Sequence, residues 1–231
     1  MDHKTDCLVC GKELTYLTKE QEAECLFCKE RRLANALCSD GHYVCDKCHG
    51  LKANDLIERY CTFNDVVDPL VSAMELMRIG EVKMHGPEHH FLVPAALLGA
   101  GLRGDPERRR ALLAMARERA AAVPGGFCGL QGACGAAIGV GIFVSVLTGA
   151  PPLSRAEWRL ANRATARALG VIAAHGGPRC CKRNTYLAIR TTAELACAEL
   201  GLKLSVEESV RCEHAARNAE CLHDECPFYD E

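Results

Sequence analysis

Two Cys-x-x-Cys pairs open the chain, Cys7 with Cys10 and Cys25 with Cys28, and 14 residues separate them. A knuckle of this spacing turns two thiolates toward one point, so two knuckles can supply the four soft ligands of a tetrahedral zinc site. Gly11 follows the first pair, where a tight turn lets backbone amides face the sulfurs. A second set follows at Cys38, Cys45 and Cys48, with His42 or His49 as the fourth ligand. Two zinc ions are therefore expected in this module. The first pairing to consider joins Cys7, Cys10, Cys25 and Cys28 on one ion. In an alternative, Cys25 and Cys28 join Cys45 and Cys48, and the two sites interleave. Closed four-ligand sites are structural, and a segment of about fifty residues needs such a staple because it cannot bury a core.

Four further groups carry chemistry. His85-Gly-Pro-Glu88-His89-His90 concentrates imidazole and carboxylate at a helix start, which suits a metal or proton-transfer site through His85 and His89. Cys128 and Cys134 sit in a glycine-rich stretch whose backbone can approach a cluster or substrate closely. In Arg179-Cys180-Cys181-Lys182-Arg183, one of the paired cysteines is read as nucleophile or ligand, with His175 as base. Arg179, Lys182 and Arg183 would bind an anionic substrate or offset cluster charge, and with a helix starting there they are expected to lower the thiol pKa values. The tail CLHDECPF adds Cys221 and Cys226 as metal ligands. Cys128, Cys134, Cys180, Cys181, Cys221 and Cys226 exceed what one zinc requires, so an iron–sulfur cluster, a second metal or a dithiol relay is expected in this part of the chain. Cys61, Cys197 and Cys212 fall in stretches expected to be helical and read as core residues.

The elements that must position these groups are helices. ANDLIERY reads as a short helix, and Asp68-Pro69 caps and opens a second that ends near Gly80. HHFLVPAALLGAGL reads as a buried helix, and Asp105-Pro106 opens a charged one that stops at Pro124. An apolar helix is expected around residues 130–148, and Ser154-x-x-Glu157 is a capping box for a helix to about Ala174. Another helix starts near Cys180, and Ser205-x-x-Glu208 suggests a last one to about Asn218. No run of alternating strands follows residue 55. The expected class is mainly α: a zinc-ribbon-like module over residues 1–50, then an all-α helical domain over residues 51–231.

Composition narrows the function. The 28 basic residues nearly balance the 30 acidic ones, and the module mixes Lys29, Arg31 and Arg32 with Glu20, Glu22, Glu24 and Glu30, so nucleic acid is not an expected partner. No charged residue lies between Ala120 and Ser154, but the strictly apolar part is shorter than a membrane span, and no membrane association is expected. MDHKTDCLVC has no apolar signal region, so the 16 cysteines are read in a reducing, cytoplasmic setting, as metal or redox groups rather than disulfides.

The motifs CLVCGKEL, GHYVCDKCH, HGPEHH, GGFCGLQGACGAAIG, GGPRCCKR and CLHDECPFY together resemble an uncharacterised family of Cys-rich prokaryotic proteins. The resemblance implies a domain of unknown function that occurs beside or fused to a methyltransferase, and hence a methyltransferase or redox protein as partner; it implies no reaction. No strand followed by a glycine-rich nucleotide loop is present for a methyltransferase within this chain. The reading that follows is a metal-binding redox or sulfur-handling protein, able to form a homo-oligomer. The alternative is a non-enzymatic zinc-ribbon adaptor or metal-handling accessory.

Overall fold

A computed structural model describes residues 7–207 and 209–230, the side chain of Asp46 excepted. The chain is mainly helical. Its only sheet among the described residues is an antiparallel hairpin of β1 (Leu14–Glu24) and β2 (Arg31–Cys38) in the N-terminal module. The register pairs Leu14 with Cys38 at one end and Glu24 with Arg31 at the other, with a bulge between Tyr16 and Gln21. The Cys25 knuckle therefore occupies the hairpin turn, while Cys38 returns to the end from which the Cys7 knuckle departs. A short helix, α1 (Asp46–His49), closes the module.

Eight helices follow among the described residues: α2 (Ala53–Phe63), α3 (Pro69–Arg78), α4 (Glu88–Gly101), α5 (Pro106–Ala121), α6 (Phe127–Leu130), α7 (Gly135–Thr148), α8 (Ala156–Ala174) and α9 (Cys181–Leu200). The two Asp caps act as their residue type dictates. The Asp68 carboxylate accepts the Leu70 N–H at 2.7 Å, and that of Asp105 accepts the Arg108 N–H at 3.0 Å. The Ser154-x-x-Glu157 capping box does not close: helix α8 starts at Ala156 with Arg155 at the cap position, and the Ser154 hydroxyl accepts the Trp158 N–H at 3.2 Å instead of that of Glu157.

Helix α4 is the centre. Every residue from Glu88 to Ala100 is buried, because α2, α3, α5, α7 and α9 pack around it. An apolar stretch with no polar face can only be satisfied in this way. Small residues let α7 approach: a Cβ at Gly139 would lie 2.9 Å from the His90 carbonyl oxygen, and one at Gly141 would meet Thr165 of α8. The Gly135-x-x-x-Gly139 spacing thus serves helix packing within the domain. Helix α7 has 14 residues, about 21 Å at 1.5 Å per residue, and no described helix is long and apolar enough to cross a membrane.

The expected helix from Ser205 to Asn218 does not form. Glu208 lies outside the described residues, and the described part of this stretch is irregular apart from a 3₁₀ turn at Ala215–Arg217. The segment is tied to its surroundings instead of to itself. The Glu207 N–H bonds the Asp68 carboxylate at 2.6 Å, and the Cys212 N–H bonds the Phe228 carbonyl at 2.7 Å. Phe228 packs edge-on against Tyr186 of α9 at 5.1 Å, with Arg190 over its ring.

Candidate functional site

The N-terminal ligands form two quartets, each with all donor atoms within 4.8 Å of one another: Cys7, Cys10, Cys38 and His42, and Cys25, Cys28, Cys45 and Cys48. The sites interleave, so the pairing of Cys7 and Cys10 with Cys25 and Cys28 is corrected. The hairpin gives the reason, since β1 carries the second knuckle away from the first and β2 brings Cys38 back. The Cys10 and Cys38 sulfurs lie 3.4 Å apart, and those of Cys28 and Cys45 3.7 Å. Backbone donors face the sulfurs: Val9 N–H to Cys7, Asp40 N–H to Cys38 and Cys45 N–H to Cys25. Burial pushes the Cys25 thiol up, but N–H groups of Cys45, Cys28 and Phe27 outweigh it and bring it to about 7. At Cys38 burial is likewise outweighed, by the Asp40 N–H and by Cys10 and His42, again to about 7. Each quartet can bind a metal ion. Arg59 of α2 reaches the Cys48 sulfur at 3.4 Å, and the Asn64 amide donates to the Leu26 carbonyl at 3.0 Å, so the second quartet is docked on the helical domain.

In the helical domain, a cavity of about 320 Å³ collects residues from four separate segments. Cys128 comes from α6, Cys134 and Gly135 from the start of α7, His89 and His90 from the start of α4, and Cys181 and Asn184 from the start of α9. His85 and Arg179 complete the wall. The N-termini of α4, α7 and α9 thus open onto one space, each bringing the positive end of its dipole. The Asn184 amide donates to the Cys134 sulfur at 3.4 Å. A shallower groove of about 510 Å³ continues past Cys128, Cys134 and Arg179 toward the end of α8.

Burial favours the neutral form of two of these histidines. Burial holds His89 well below its ordinary value, with the Lys182 charge adding to the effect, and burial also lowers His90. Each imidazole Nδ1 sits 3.1 Å from a backbone carbonyl oxygen, Gly86 for His89 and Val123 for His90. An N–H donated there leaves Nε2 as the free acceptor, and Nε2 of His89 is buried without a hydrogen-bond partner.

Other expectations fare differently. Cys180 and Cys181 are adjacent but face different spaces, Cys181 the large cavity and Cys180 a small one beneath the tail. Their thiols are not activated: burial raises Cys180, and raises Cys181 to about 11 against the Gly86 N–H and Arg179. Lys182 turns into the core, where its ammonium binds the Met77 and Val82 carbonyls at 3.2 and 3.1 Å and burial pulls it down to about 8. Arg183 binds the Gly176 and Pro178 carbonyls. Of the three cations only Arg179 faces the large cavity. His175 ends α8, its Nδ1 2.9 Å from the Val171 carbonyl, and lines neither space. Cys221 and Cys226 lie with Cys180 around the small cavity, together with Cys212. Cys212 is thus not a core residue, and Cys197 is exposed on α9; Cys61 is buried as expected.

Asn184, Asn218 and Cys212 face these spaces although they are not among the expected site residues. A turn of helix after Cys180 was the available signal for Asn184. For Cys212 it was the company of Cys221 and Cys226 in a charged tail.

These features define an N-terminal module with two quartets able to hold a metal, joined to a helical region that holds a cysteine- and histidine-lined cavity. The chain belongs to the family described as a family of unknown function (DUF5714), which matches residues 57–229. No curated protein and no solved structure matches it.

Proposed function

We propose that the protein handles sulfur in the large cavity, with zinc as a structural ion in both N-terminal quartets. The observation that carries this reading is the convergence of three helix N-termini, Arg179 and three cysteines on one space. Helix starts and a guanidinium bind anions, and thiols beside a bound anion transfer sulfur or electrons. All-thiolate and three-thiolate, one-imidazole sets suit tetrahedral zinc.

Cys134 serves best as nucleophile. It precedes α7, receives the Asn184 amide and is only half-buried, whereas Cys181 is kept neutral by burial. On thiosulfate, the Cys134 thiolate attacks the outer sulfur, the S–S bond breaks, and sulfite leaves with its electron pair. A persulfide remains on Cys134. A second cavity thiol, Cys128 or Cys181, can then attack the inner sulfur, forming a disulfide and releasing hydrosulfide.

Reduced protein incubated with thiosulfate should gain one sulfur atom on the Cys134 peptide, read by mass mapping. Cys134→Ser should abolish the gain, and Arg179→Gln should slow it about tenfold, the loss of one charge-assisted contact. Equal sulfur uptake on exposed Cys197, or unchanged uptake in the Cys134→Ser protein, would overturn the reading.

A second reading, metal handling without catalysis, is supported by His89 and His90. Both anchor Nδ1 to a carbonyl, and Nε2 of His89 is buried without a partner, the arrangement that orients metal-binding imidazoles. It takes precedence if thiosulfate leaves the cavity thiols unmodified while added zinc protects Cys128, Cys134 and Cys181 from alkylation.

A further inference from the structure

Beneath the C-terminal tail, Cys180, Cys212, Cys221 and Cys226 line one small cavity together with Arg183, Asn218 and Phe228. We infer that these four cysteines form a third metal centre, held entirely by thiolates and separate from both N-terminal quartets. The inference does not depend on sulfur transfer in the larger cavity.

The space is about 20 Å³, room for one water-sized guest. A substrate does not fit there, whereas an ion bonded directly to sulfur does. Four thiols directed at such a gap from α9 and from three points along the tail are the donor set of a thiophilic metal.

The backbone around the sulfurs resembles that of the N-terminal quartets. In the N-terminal quartets, Cys7 and Cys38 each accept the N–H of the residue two positions on, at 3.4 Å. Cys212 and Cys221 repeat this turn: the His214 and His223 N–H groups reach their sulfurs at 3.4 Å. Cys180 accepts the Arg183 N–H at 3.4 Å, and the Asn218 amide lies 3.9 Å from the same sulfur. Donors aimed at sulfur stabilise a charged thiolate far more than a neutral thiol. A tail folded only for packing has no need of them.

Lys182 and Arg183 are 1% and 2% exposed, yet they bind only backbone carbonyls and the Asn184 amide oxygen, and neither pairs with a carboxylate. Glu88 lends Lys182 a partial counter-charge without forming an ion pair with it, so Arg183 is the buried cation left without a carboxylate. Buried cations without a counter-charge are costly. A four-thiolate metal centre is a net anion next to them, and Arg183 lines its wall.

The metal is either iron in a sulfide-bridged cluster or a single zinc. Among the described residues no three of these thiols have sulfurs within 4.8 Å of one another, unlike the N-terminal quartets. Sulfurs around one zinc lie about 3.8 Å apart by tetrahedral geometry. The wider spread suits a cluster and the small space suits a single ion, so the metal content decides between them. Asn218 ties the centre to the larger cavity: its side-chain oxygen lies 3.2 Å from His85 Nε2 on that cavity's wall, while its amide faces Cys180.

The test uses the full chain purified without oxygen. Iron, inorganic sulfide and zinc are measured per chain, and thiols are mapped by alkylation before and after metal removal. The expected result is a centre beyond the two N-terminal ions, lost in Cys212→Ser and Cys221→Ser but kept in Cys128→Ser. Iron with equal sulfide identifies a cluster; a third zinc identifies a mononuclear site. In the wild-type chain, which needs no substitution to fold, Cys180, Cys212, Cys221 and Cys226 should label only after metal removal, while Cys197 labels throughout. Metal limited to the N-terminal quartets, immediate labelling of the four thiols, or disulfides among them would overturn the inference.

Discussion

At the scale of single residues, Gly135 shows how the larger cavity depends on an absent side chain. A Cβ there would lie 2.2 Å from His90 Nε2, and the His90 ring cannot swing away without giving up its bond to the Val123 carbonyl. Gly135→Ala should therefore cost about 1–3 kcal/mol by overpacking, seen in a lower denaturation midpoint, and should displace His90. Gly129→Ala is the control, since nothing lies within 4 Å of a Cβ at that position. Equal effects of the two substitutions would show that the contact with His90 is not decisive. The thiols teach a related lesson. Cations next to Cys180 and Cys181 are plain in the sequence, yet a charge lowers a thiol pKa only where it outweighs desolvation, and at these positions burial prevails.

At the scale of elements, the hairpin decides which cysteines share a metal. Cys38→Ser should remove the ion of the Cys7, Cys10 and His42 site and leave the other, and Cys48→Ser should do the converse. Native mass spectrometry of each variant reads the count directly, and loss of both ions from either single substitution would contradict independent sites. The two losses should also differ in reach. Arg59 and Asn64 bind the second knuckle region, so Cys48→Ser should speed amide exchange in α2, while Cys38→Ser should leave it protected. Helix α4 illustrates the other side of element-scale reasoning. Its apolar sequence announces burial, but only the packing of five helices around it turns its first residues, His89 and His90, toward the starts of α7 and α9.

At the scale of the whole molecule, three buried histidines make stability depend on pH. His89, His90 and His214 are all held below the ordinary 6.5, first by burial, and His214 is lowered to about 4, with Lys182 and Arg217 adding to the effect. The unfolded chain takes up protons below about pH 6.5 while the folded chain does not, so acid favours unfolding. The contribution is fully present above 6.5 and is lost as pH falls toward 4. A histidine that stays neutral across the interval from 6.5 to 5 gives a loss of about 2 kcal/mol. Denaturant titration at pH 7 and pH 5 should show this weakening, and His214→Gln should reduce the difference. A pH-independent midpoint would mean that these imidazoles are protonated in the fold.

The helices, most of their caps and the knuckles that could hold a metal are all local matters, set by periodicity, by Asp before Pro and by Cys-x-x-Cys spacing, and these the chain states in its own order. The irregular tail is not such a local matter, since a capping box opens a helix only if the residues after it gain more from each other than from distant partners such as Asp68. Partnership among distant cysteines is not local. Cys7 joins Cys38 because a hairpin folds back, Cys134 meets Cys181 because α7 and α9 both start against α4, and Cys180 turns from its neighbour because successive residues at a helix start point in different directions. Tertiary packing alone decides these, since it fixes which helix ends face one another and which charges lose their water.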